Sequence, residues 1–321
     1  MEALSPPDFV LLEWLARDPG TFRDRPPSVD APAVQGRSLE ALARLGYDVE
    51  SHPVNGFRLR HGVDAMDRKR VQEGLRTESL GRFLVCHIQT GSTNDLAWAL
   101  AADGAPAGAT VTAEHQTAGR GRLGRPWFSP PGSGLWVSVL LRPEWTLDRA
   151  GLVTLGAGVA VSGAIASFGV ECRLKWPNDV QIRRHKVAGI LTESRTESNR
   201  IAEAVVGIGI NVHQEIDTFP PELRDIATSL CIEGCRVERS ILLQEILNRM
   251  EDVFALEPAT ILKRWEERAT GWGEPVRVET GDETFIGKMV RLTETGALVL
   301  ERSDGSERTI HAGDVHRLRK A

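Results

Sequence analysis

Residues 116–127 read QTAGRGRLGRPW, so three glycines and three arginines are interleaved in one short segment. No acidic residue occurs between His115 and Leu141. Glycine lets successive backbone N–H groups point into one concavity, and arginine offers a planar fork to phosphate or carboxylate oxygens. The segment therefore predicts an anion-binding loop, closed by the stacking surface of Trp127. A flexible surface loop and an RGG-like nucleic-acid segment are the alternatives, and the Gly-Lys-Ser/Thr ending of nucleotide-binding P-loops is missing.

Strands and helices are predicted to alternate on both sides of this loop. Residues 151–170 carry no charge over a length that could span a membrane. The small residues Gly156, Ala160 and Ala164 recur there every four positions, which instead predicts a buried helix packed on a sheet. Strands are predicted at 82–88, 110–115, 134–141, 172–175, 186–194 and 202–210, and helices at 94–103, 240–256 and 259–269. We therefore expect residues 80–270 to form an α/β (α+β) domain around a mixed central sheet.

Two smaller regions are predicted to flank this domain. Helices at 9–16 and 33–45, a proline-rich segment at 25–32 and strands at 47–53 and 56–60 follow one another in the first region. This order predicts a winged-helix-like domain over residues 1–70, joined to the rest by a linker helix or loop at 64–77. Short alternating runs with turn signals predict a small β-barrel over residues 271–321.

Composition narrows the function further. The chain has 321 residues and a formal net charge of −5, which argues against a protein whose main task is to coat nucleic acid. Residues 1–70 contain ten Lys and Arg against eleven Asp and Glu, and the predicted recognition helix offers only Arg37 and Arg44 as cations. Because DNA affinity depends mainly on neutralised phosphates, we expect weak or lost DNA binding. The four scattered cysteines form no disulfide framework and no secretory signal is visible, so a cytoplasmic protein outside membranes is expected.

A second segment combines charge with turn chemistry. Lys175-Trp176-Pro177-Asn178-Asp179 is followed by KVAGILTE at 186–193, and two of the chain's six lysines fall here. A lysine can neutralise charge on a transferring phosphoryl group, and an aspartate can hold a metal or orient an incoming amine. A turn beside a solvated lysine explains the same residues equally well, since Pro-Asn-Asp is strong turn chemistry.

Two weaker signals complete the set. Ser92-Thr93-Asn94 precedes a predicted helix, where a helix cap is the plainer interpretation and a polar ligand site the alternative. The sequence GIGIN at 207–211 ends a predicted strand with two glycines and an amide, and is weak by itself.

Taken in their order along the chain, these four segments resemble the biotin protein ligase family over about residues 80–320. A Gly-Arg-Gly-Arg-x-Gly-Arg loop together with Lys-Trp-Pro-Asn-Asp separates the chain from the related lipoate ligases, which lack that loop. The resemblance implies a catalytic domain of the biotin/lipoate ligase type, an SH3-like C-terminal barrel, and ATP, Mg²⁺ and biotin as the reactants and cofactor. The biotin carboxylate would attack the α-phosphate of ATP, and a lysine of a biotin carboxyl carrier domain would then attack biotinyl-5′-AMP.

The resemblance also implies roles for individual residues. The biotin site would comprise Ser92, Thr93, Asn94 and Gln116 at the ureido head, with Arg120, Gly121, Arg122 and Lys186 closing over the ligand. The nucleotide would be bound by Arg122, Arg125, Trp127, Asn178 and Asn211. The catalytic set would be Lys186, Arg120, Arg122 and Asp179, with Asp179 a candidate ligand of Mg²⁺.

Some expectations concern regulation and assembly. Bifunctional members of the family carry an N-terminal winged helix and repress biotin synthesis when loaded with biotinyl-AMP, so a DNA-binding repressor is the alternative function. Members often form homodimers by extending the central sheet, and the oligomeric state stays open here. The segment at 314–318 does not align with the family's end, so no site residue is assigned there. The arginine-glycine loop (residues 119–125) is expected to be disordered until a ligand arrives.

Overall fold

The computed structural model describes residues 49–59, 66, 68–281 and 283–317, together with residues 11, 14, 15, 22, 38–40 and 42. In the N-terminal region, strands β1 (Val49–His52) and β2 (Gly56–Leu59) form an antiparallel hairpin, as predicted. Helix α1 (Arg68–Glu73) lies in the predicted linker. Of the helices predicted at 9–16 and 33–45, the structure describes residues 11, 14, 15, 38–40 and 42, all of them helical; the other residues of both ranges lie outside the described ones.

A seven-stranded sheet forms the centre of the fold. Its strands are β3 Leu84–Thr90, β4 Thr110–Gln116, β5 Gly134–Leu141, β6 Arg173–Lys175, β7 Asp179–Ile182, β8 His185–Glu197 and β9 Arg200–Asn211. They lie in the order β3-β4-β5-β9-β8-β7-β6. β3 and β4 are parallel and the other neighbouring pairs are antiparallel. This confirms the predicted α/β class with a mixed sheet, but the turn predicted at 177–179 ends earlier, because Asp179 already pairs with Lys175 as the first residue of β7.

One face of this sheet is buried by helices. The remaining helices are α2 Thr93–Ala102, α3 Ala150–Ser167, α4 Arg239–Phe254 and α5 Pro258–Arg268. The apolar side chains of β5 that point to this face join those of α3, α4 and α5 in one core. By length and composition α3 could cross a membrane, yet 67% of its apolar stretch is buried inside the fold. The prediction of a buried core helix is therefore confirmed.

The start of α4 is tied to the sheet by a buried ion pair. Arg239 Nη1 lies 2.8 Å from Glu114 Oε2, and the two side chains are only 1% and 4% exposed. Arg239 also donates to the Gly134 carbonyl at 3.0 Å. Charges this deeply buried are tolerated only when they are paired, so the contact fixes α4 against β4 and β5.

The opposite face of the sheet carries smaller side chains. Helix α2 covers part of it, with Ala97 and Ala101 in a second cluster beside β4, β5 and β9. Next to α2 the strands present Ser138, Gly207 and Gly209 instead of branched residues. Because these residues leave space above the strands, a cavity forms here.

The C-terminal region is a second, five-stranded antiparallel sheet. Its strands are β10 Pro275–Thr280, β11 Glu283–Leu292, β12 Leu298–Glu301, β13 Glu307–Ile310 and β14 Asp314–Arg317, in the order β13-β12-β11-β10-β14. The Trp176 indole N–H donates to the Gly296 carbonyl at 3.1 Å and so joins the two sheets. The predicted short strands are confirmed, whereas closure into a barrel stays a prediction.

Candidate active site

A cavity of about 300 Å³ opens over the small-residue face of the seven-stranded sheet. The arginine-glycine loop, the N-terminus of α2, strands β6 to β9 and strand β14 form its walls. It is lined by every site residue that the sequence predicts: Ser92, Thr93, Asn94, Gln116, Arg120, Gly121, Arg122, Arg125, Trp127, Asn178, Asp179, Lys186 and Asn211. Their individual roles stay predictions, but the fold brings four separate sequence segments to one place.

One end of the cavity is a prearranged polar network. The Gln116 side-chain carbonyl accepts the backbone N–H of Thr93 at 2.9 Å and its hydroxyl at 3.1 Å. The Gln116 amide donates to the Ser129 hydroxyl at 3.0 Å. Below them, the buried Ser138 hydroxyl lies 2.7 Å from both Thr93 Oγ1 and Asn94 Oδ1. Side chains held in this way present fixed donors and acceptors to a polar ligand.

The helix-cap interpretation of Ser92 is not what the structure shows. Ser92 is the N-terminal flanking residue of α2, yet its side chain makes no capping hydrogen bond, and only 3% of the residue is exposed. Its place in the cavity wall fits the alternative, a polar ligand site at the helix N-terminus.

Glycines let two larger side chains lie directly on the sheet. A Cβ atom on Gly207 would stand 2.3 Å from Asn94 Oδ1, and one on Gly209 would stand 2.4 Å from Trp127 Nε1. The Trp127 indole therefore lies against the strands, with the Lys186 ammonium 5.0 Å from its ring centroid. The indole N–H is buried and has no hydrogen-bond partner among the described residues. Such an unpaired donor is costly, so the site is suited to a ligand that supplies an acceptor.

The aspartate of the KWPND segment is paired with a lysine of the motif that follows it. Lys186 Nζ lies 2.6 Å from Asp179 Oδ1, and both side chains are partly buried. The two predicted nucleotide-binding amides already have backbone partners. Asn178 donates to the Ile190 carbonyl at 2.8 Å, and Asn211 donates to the Thr228 carbonyl at 2.9 Å. These hydrogen bonds fix both amide side chains in the cavity wall.

Arg120 is held by two carboxylates. Its Nη1 and Nη2 atoms lie 2.8 and 2.5 Å from the oxygens of Asp95, and its Nε and Nη2 atoms lie 3.4 and 3.3 Å from Glu193 Oε1. The hydrogen bond from Arg120, opposed by partial burial, holds the pKa of the Asp95 carboxyl below its usual value. The same bond raises the pKa of the Arg120 guanidinium.

The other two arginines share one carboxylate from the C-terminal sheet. Arg122 Nη1 lies 3.2 Å from Asp314 Oδ1 and 3.1 Å from the Gly313 carbonyl, and Arg125 Nη2 lies 2.7 Å from Asp314 Oδ2. Burial lowers the pKa of Arg122, and the nearby Asp314 only partly offsets this. No site residue was assigned to 314–318 from the sequence, and the structure places Asp314 of that segment in the cavity wall. No local signal marked it, because it lies 192 positions from Arg122 in the chain.

Hydrogen bonds and ion pairs hold the arginine-glycine loop in this structure, and its disorder before a ligand binds stays a prediction. Within the loop, the Gly121 N–H donates to the Arg125 carbonyl at 2.7 Å, and the Trp127 N–H donates to the Gly119 carbonyl at 2.8 Å. The repulsion between the arginines is offset by carboxylates from α2, β8 and β14. None of these lies in the acid-free stretch around the loop, so the sequence alone did not reveal them.

The residues that could hold a metal are few. The described ranges contain no group of three or more His, Cys, Asp and Glu side chains arranged to bind an ion. Asp179 can offer a carboxylate oxygen, although Lys186 already pairs with it. This donor set fits a magnesium ion held mainly by substrate phosphates and water.

Known proteins resemble this chain over most of its length. The biotin/lipoate A/B protein ligase family matches residues 86–211, and the biotin protein ligase C terminal domain matches residues 272–317. The bifunctional ligase/repressor BirA of Bacillus spizizenii is 39% identical over 285 residues, which is 87% of this chain and 87% of the relative. The biotin–[acetyl-CoA-carboxylase] ligase of Mycobacterium tuberculosis is 36% identical over 267 residues, 77% of this chain and 96% of the relative. The solved biotin protein ligase from Aquifex aeolicus in complex with biotin and ATP has a TM-score of 0.64 and 30% identity, covering 74% of this chain and 100% of that one.

Proposed function

The chain belongs to the biotin protein ligase family, and we propose that its cavity holds biotin and ATP side by side and joins them. The enzyme is an ATP-dependent, AMP-forming ligase that makes biotinyl-5′-AMP and transfers biotin to a lysine of a biotin carboxyl carrier domain. One observation carries the assignment of the cavity: its wall combines a polar network at the N-terminus of α2 with Lys186, Arg122 and Arg125. The first set suits a neutral polar head group, and the second suits phosphates.

In the first half-reaction the polar network would bind the ureido head of biotin. A ureido group has one carbonyl acceptor and two N–H donors, and the hydroxyls and amides of the network can match both kinds. These residues are Ser92, Thr93, Asn94 and Gln116. A biotin carboxylate oxygen then attacks the α-phosphorus of ATP. The bond between the α-phosphorus and the oxygen that bridges it to the β-phosphate breaks, and pyrophosphate leaves with the electron pair. Arg122 and Arg125 would neutralise the charge on the phosphates, and Gly121, between Arg120 and Arg122, would let the loop backbone approach the ligand closely.

Lys186 would act in both half-reactions. Its ammonium lies 2.6 Å from Asp179, which would fix its position beside the reacting groups. In the second half-reaction the neutral amine of the carrier lysine attacks the acyl carbon, the bond to AMP breaks, and the amine loses a proton. Lys186 would stabilise the charge on the acyl-phosphate oxygens, with Asp179 orienting the incoming amine.

The nucleotide end would use the remaining predicted residues. Trp127 would pack beside the adenine, while Asn178 and Asn211 would line its pocket. When bound, Mg²⁺ would neutralise phosphate charge. We propose that the phosphates and water hold most of its coordination sites, and that Asp179 offers at most one protein ligand.

A single assay tests this function. Protein, ATP, Mg²⁺, biotin and a carrier domain are incubated together, and the mass of the carrier is measured for addition of one biotinyl group. Lys186→Ala should lower kcat by about 100-fold or more, since it removes a preorganised charge next to the developing one. Lys263→Ala, an exposed lysine on α5, is the matched control and should keep full activity. Transfer of lipoate in place of biotin by the wild-type protein would overturn the assignment.

The N-terminal region raises the alternative function. The alignment with the ligase/repressor relative covers 87% of this chain, so it includes part of residues 1–70. We propose a degenerate winged-helix-like domain there, in which the β1–β2 hairpin is the wing and DNA binding is weak or lost because the region has a slight net negative charge. A gel-shift experiment with biotinyl-AMP and the upstream DNA of biotin synthesis genes tests this. A specific, salt-sensitive complex at nanomolar protein would establish the repressor instead.

Four further proposals concern architecture, assembly and location. We propose domains at 1–70, 80–270 and 271–321; family models that match residues 86–211 and 272–317 support the last two. We propose that the C-terminal sheet curls into an SH3-like barrel, and that any homodimer forms by extension of the central sheet. The four free cysteines, Cys86, Cys172, Cys231 and Cys235, suit the reducing cytoplasm as the location.

A further inference from the structure

The Glu193 carboxylate lies behind the cavity wall and receives donors from two different parts of the site. Its Oε2 atom accepts from Asn94 Nδ2 at 2.9 Å and from Trp98 Nε1 at 3.1 Å. Its Oε1 atom lies 3.3 and 3.4 Å from Nη2 and Nε of Arg120. Glu193 itself does not line the cavity. One side chain therefore touches both a predicted biotin-binding amide and the arginine-glycine loop.

The contact with Asn94 decides how its amide is turned. On one side Asn94 Oδ1 lies 2.7 Å from the Ser138 hydroxyl, and on the other Nδ2 donates to Glu193. A hydroxyl can donate or accept, so Ser138 would tolerate either amide atom. An ionised carboxylate only accepts, so Glu193 requires the NH₂ group on its side. Glu193 thereby fixes the carbonyl and NH₂ ends of Asn94 in the polar network.

The contact with Arg120 holds the loop at the same place. Arg120 is shared between Glu193 and Asp95, and Asp95 is the neighbour of Asn94 in the first turn of α2. Bidentate pairing of this kind adds geometric precision as well as attraction. Because both carboxylates pair with Arg120, its guanidinium is positioned against α2. Arg122 and Arg125 instead pair with Asp314 of strand β14.

We propose that Glu193 is a positioning residue for biotin binding, in which one oxygen orients the Asn94 amide and the other holds the arginine-glycine loop through Arg120. This inference rests on the proposed binding of biotin at Asn94. It links recognition of the head group to placement of the loop, because both depend on one carboxylate.

The test compares Glu193→Gln with a matched control. Glu203→Gln changes a carboxylate on the neighbouring strand that also pairs with two arginines, Arg142 and Arg195, but lies outside the cavity. For each protein, biotin Kd is measured by calorimetry, the KM for ATP and kcat by carrier biotinylation, and loop accessibility by trypsin cleavage after Arg122. Glu193→Gln should raise the biotin Kd about tenfold, while the KM for ATP stays within about twofold and kcat within about threefold. Cleavage after Arg122 should become at least about threefold faster.

The outcomes separate the inference from the function on which it rests. A wild-type protein that does not bind biotin refutes the proposed function before any variant is compared. With active wild type, an unchanged biotin Kd, an unchanged cleavage rate, or equal changes in Glu203→Gln each refute the role of Glu193. Asp95→Asn supplies a second test if Glu193→Gln does not fold. It loosens Arg120 while leaving Asn94 bound to Glu193, so cleavage should accelerate while the biotin Kd stays within about threefold, and an unchanged cleavage rate would refute the loop contact.

Discussion

Replacing Gly207 by alanine should weaken biotin binding through Asn94. The new Cβ would stand 2.3 Å from Asn94 Oδ1, whereas ordinary contact begins at 3.4 Å, so the amide must move by about an ångström. Asn94 is only 3% exposed and is held by Glu193 on one side and Ser138 on the other. Losing these contacts costs about 1–3 kcal/mol. At 1.4 kcal/mol per tenfold, that predicts a rise in biotin Kd of about 5- to 150-fold.

Calorimetry with biotin alone measures this effect, and carrier biotinylation gives the KM for ATP. Gly209→Ala is the variant to compare, because its Cβ would meet the Trp127 indole. It should raise the KM for ATP instead of the biotin Kd. Gly158→Ala, in α3 and with no atom closer than 3.5 Å, should change neither constant. If Gly207→Ala left the biotin Kd within about twofold of wild type in a normally folded protein, Asn94 would not be a biotin residue.

Three further predictions concern other parts of the structure. Asp314→Asn should raise the KM for ATP at least about threefold in steady-state kinetics, because Arg122 and Arg125 lose their shared anchor; an unchanged KM for ATP would contradict this role. Glu114→Gln should lower the thermal midpoint by roughly 5–15 °C in a calorimetric scan, since withdrawing the carboxylate that faces Arg239 costs about 3–5 kcal/mol; a shift under about 2 °C would count against the ion pair. Burial raises the pKa of Cys172 to about 12, so its thiol stays protonated at pH 8. In peptide mass spectrometry, iodoacetamide should therefore label Cys172 at least about tenfold more slowly than the partly exposed Cys231. Equal labelling rates would show that Cys172 is accessible.

The elements predicted best are those whose pattern is local. Strand β5 has the predicted bounds, because eight consecutive buried residues bordered by turn signals leave little alternative. Helix α3 was predicted as buried because its small residues recur at helical spacing. Strand β7 was missed because it is only four residues long and directly follows Pro177-Asn178, which signals a turn. The pairing of Asp179 with Lys175 and Gly189 appears in the folded sheet, and so short a run does not reveal it.

The candidate site divides in the same way. Its thirteen predicted residues lie in four short motifs, and each motif could be recognised by itself. The roles of the carboxylates that pair with the loop arginines were not recognised in the sequence. Asp95, Glu193 and Asp314 become neighbours of those arginines only after folding. Asp95 and Glu193 each adjoin or end a recognised motif, so a search for countercharges to the three arginines would have selected them. Asp314 had no such signal.

The pairing of Asp314 with the loop has a consequence for dissecting the protein. A fragment that ended near residue 270 would keep every motif recognisable in the sequence, yet it would lack the wall against which Arg122 and Arg125 rest. The indole of Trp176 would also lose its acceptor on the other sheet. The cavity is thus built from two segments of the chain, one on each side of residue 270. We therefore expect a fragment of residues 1–270 to lose biotinylation activity, because the arginine-glycine loop would lose its contacts with Asp314.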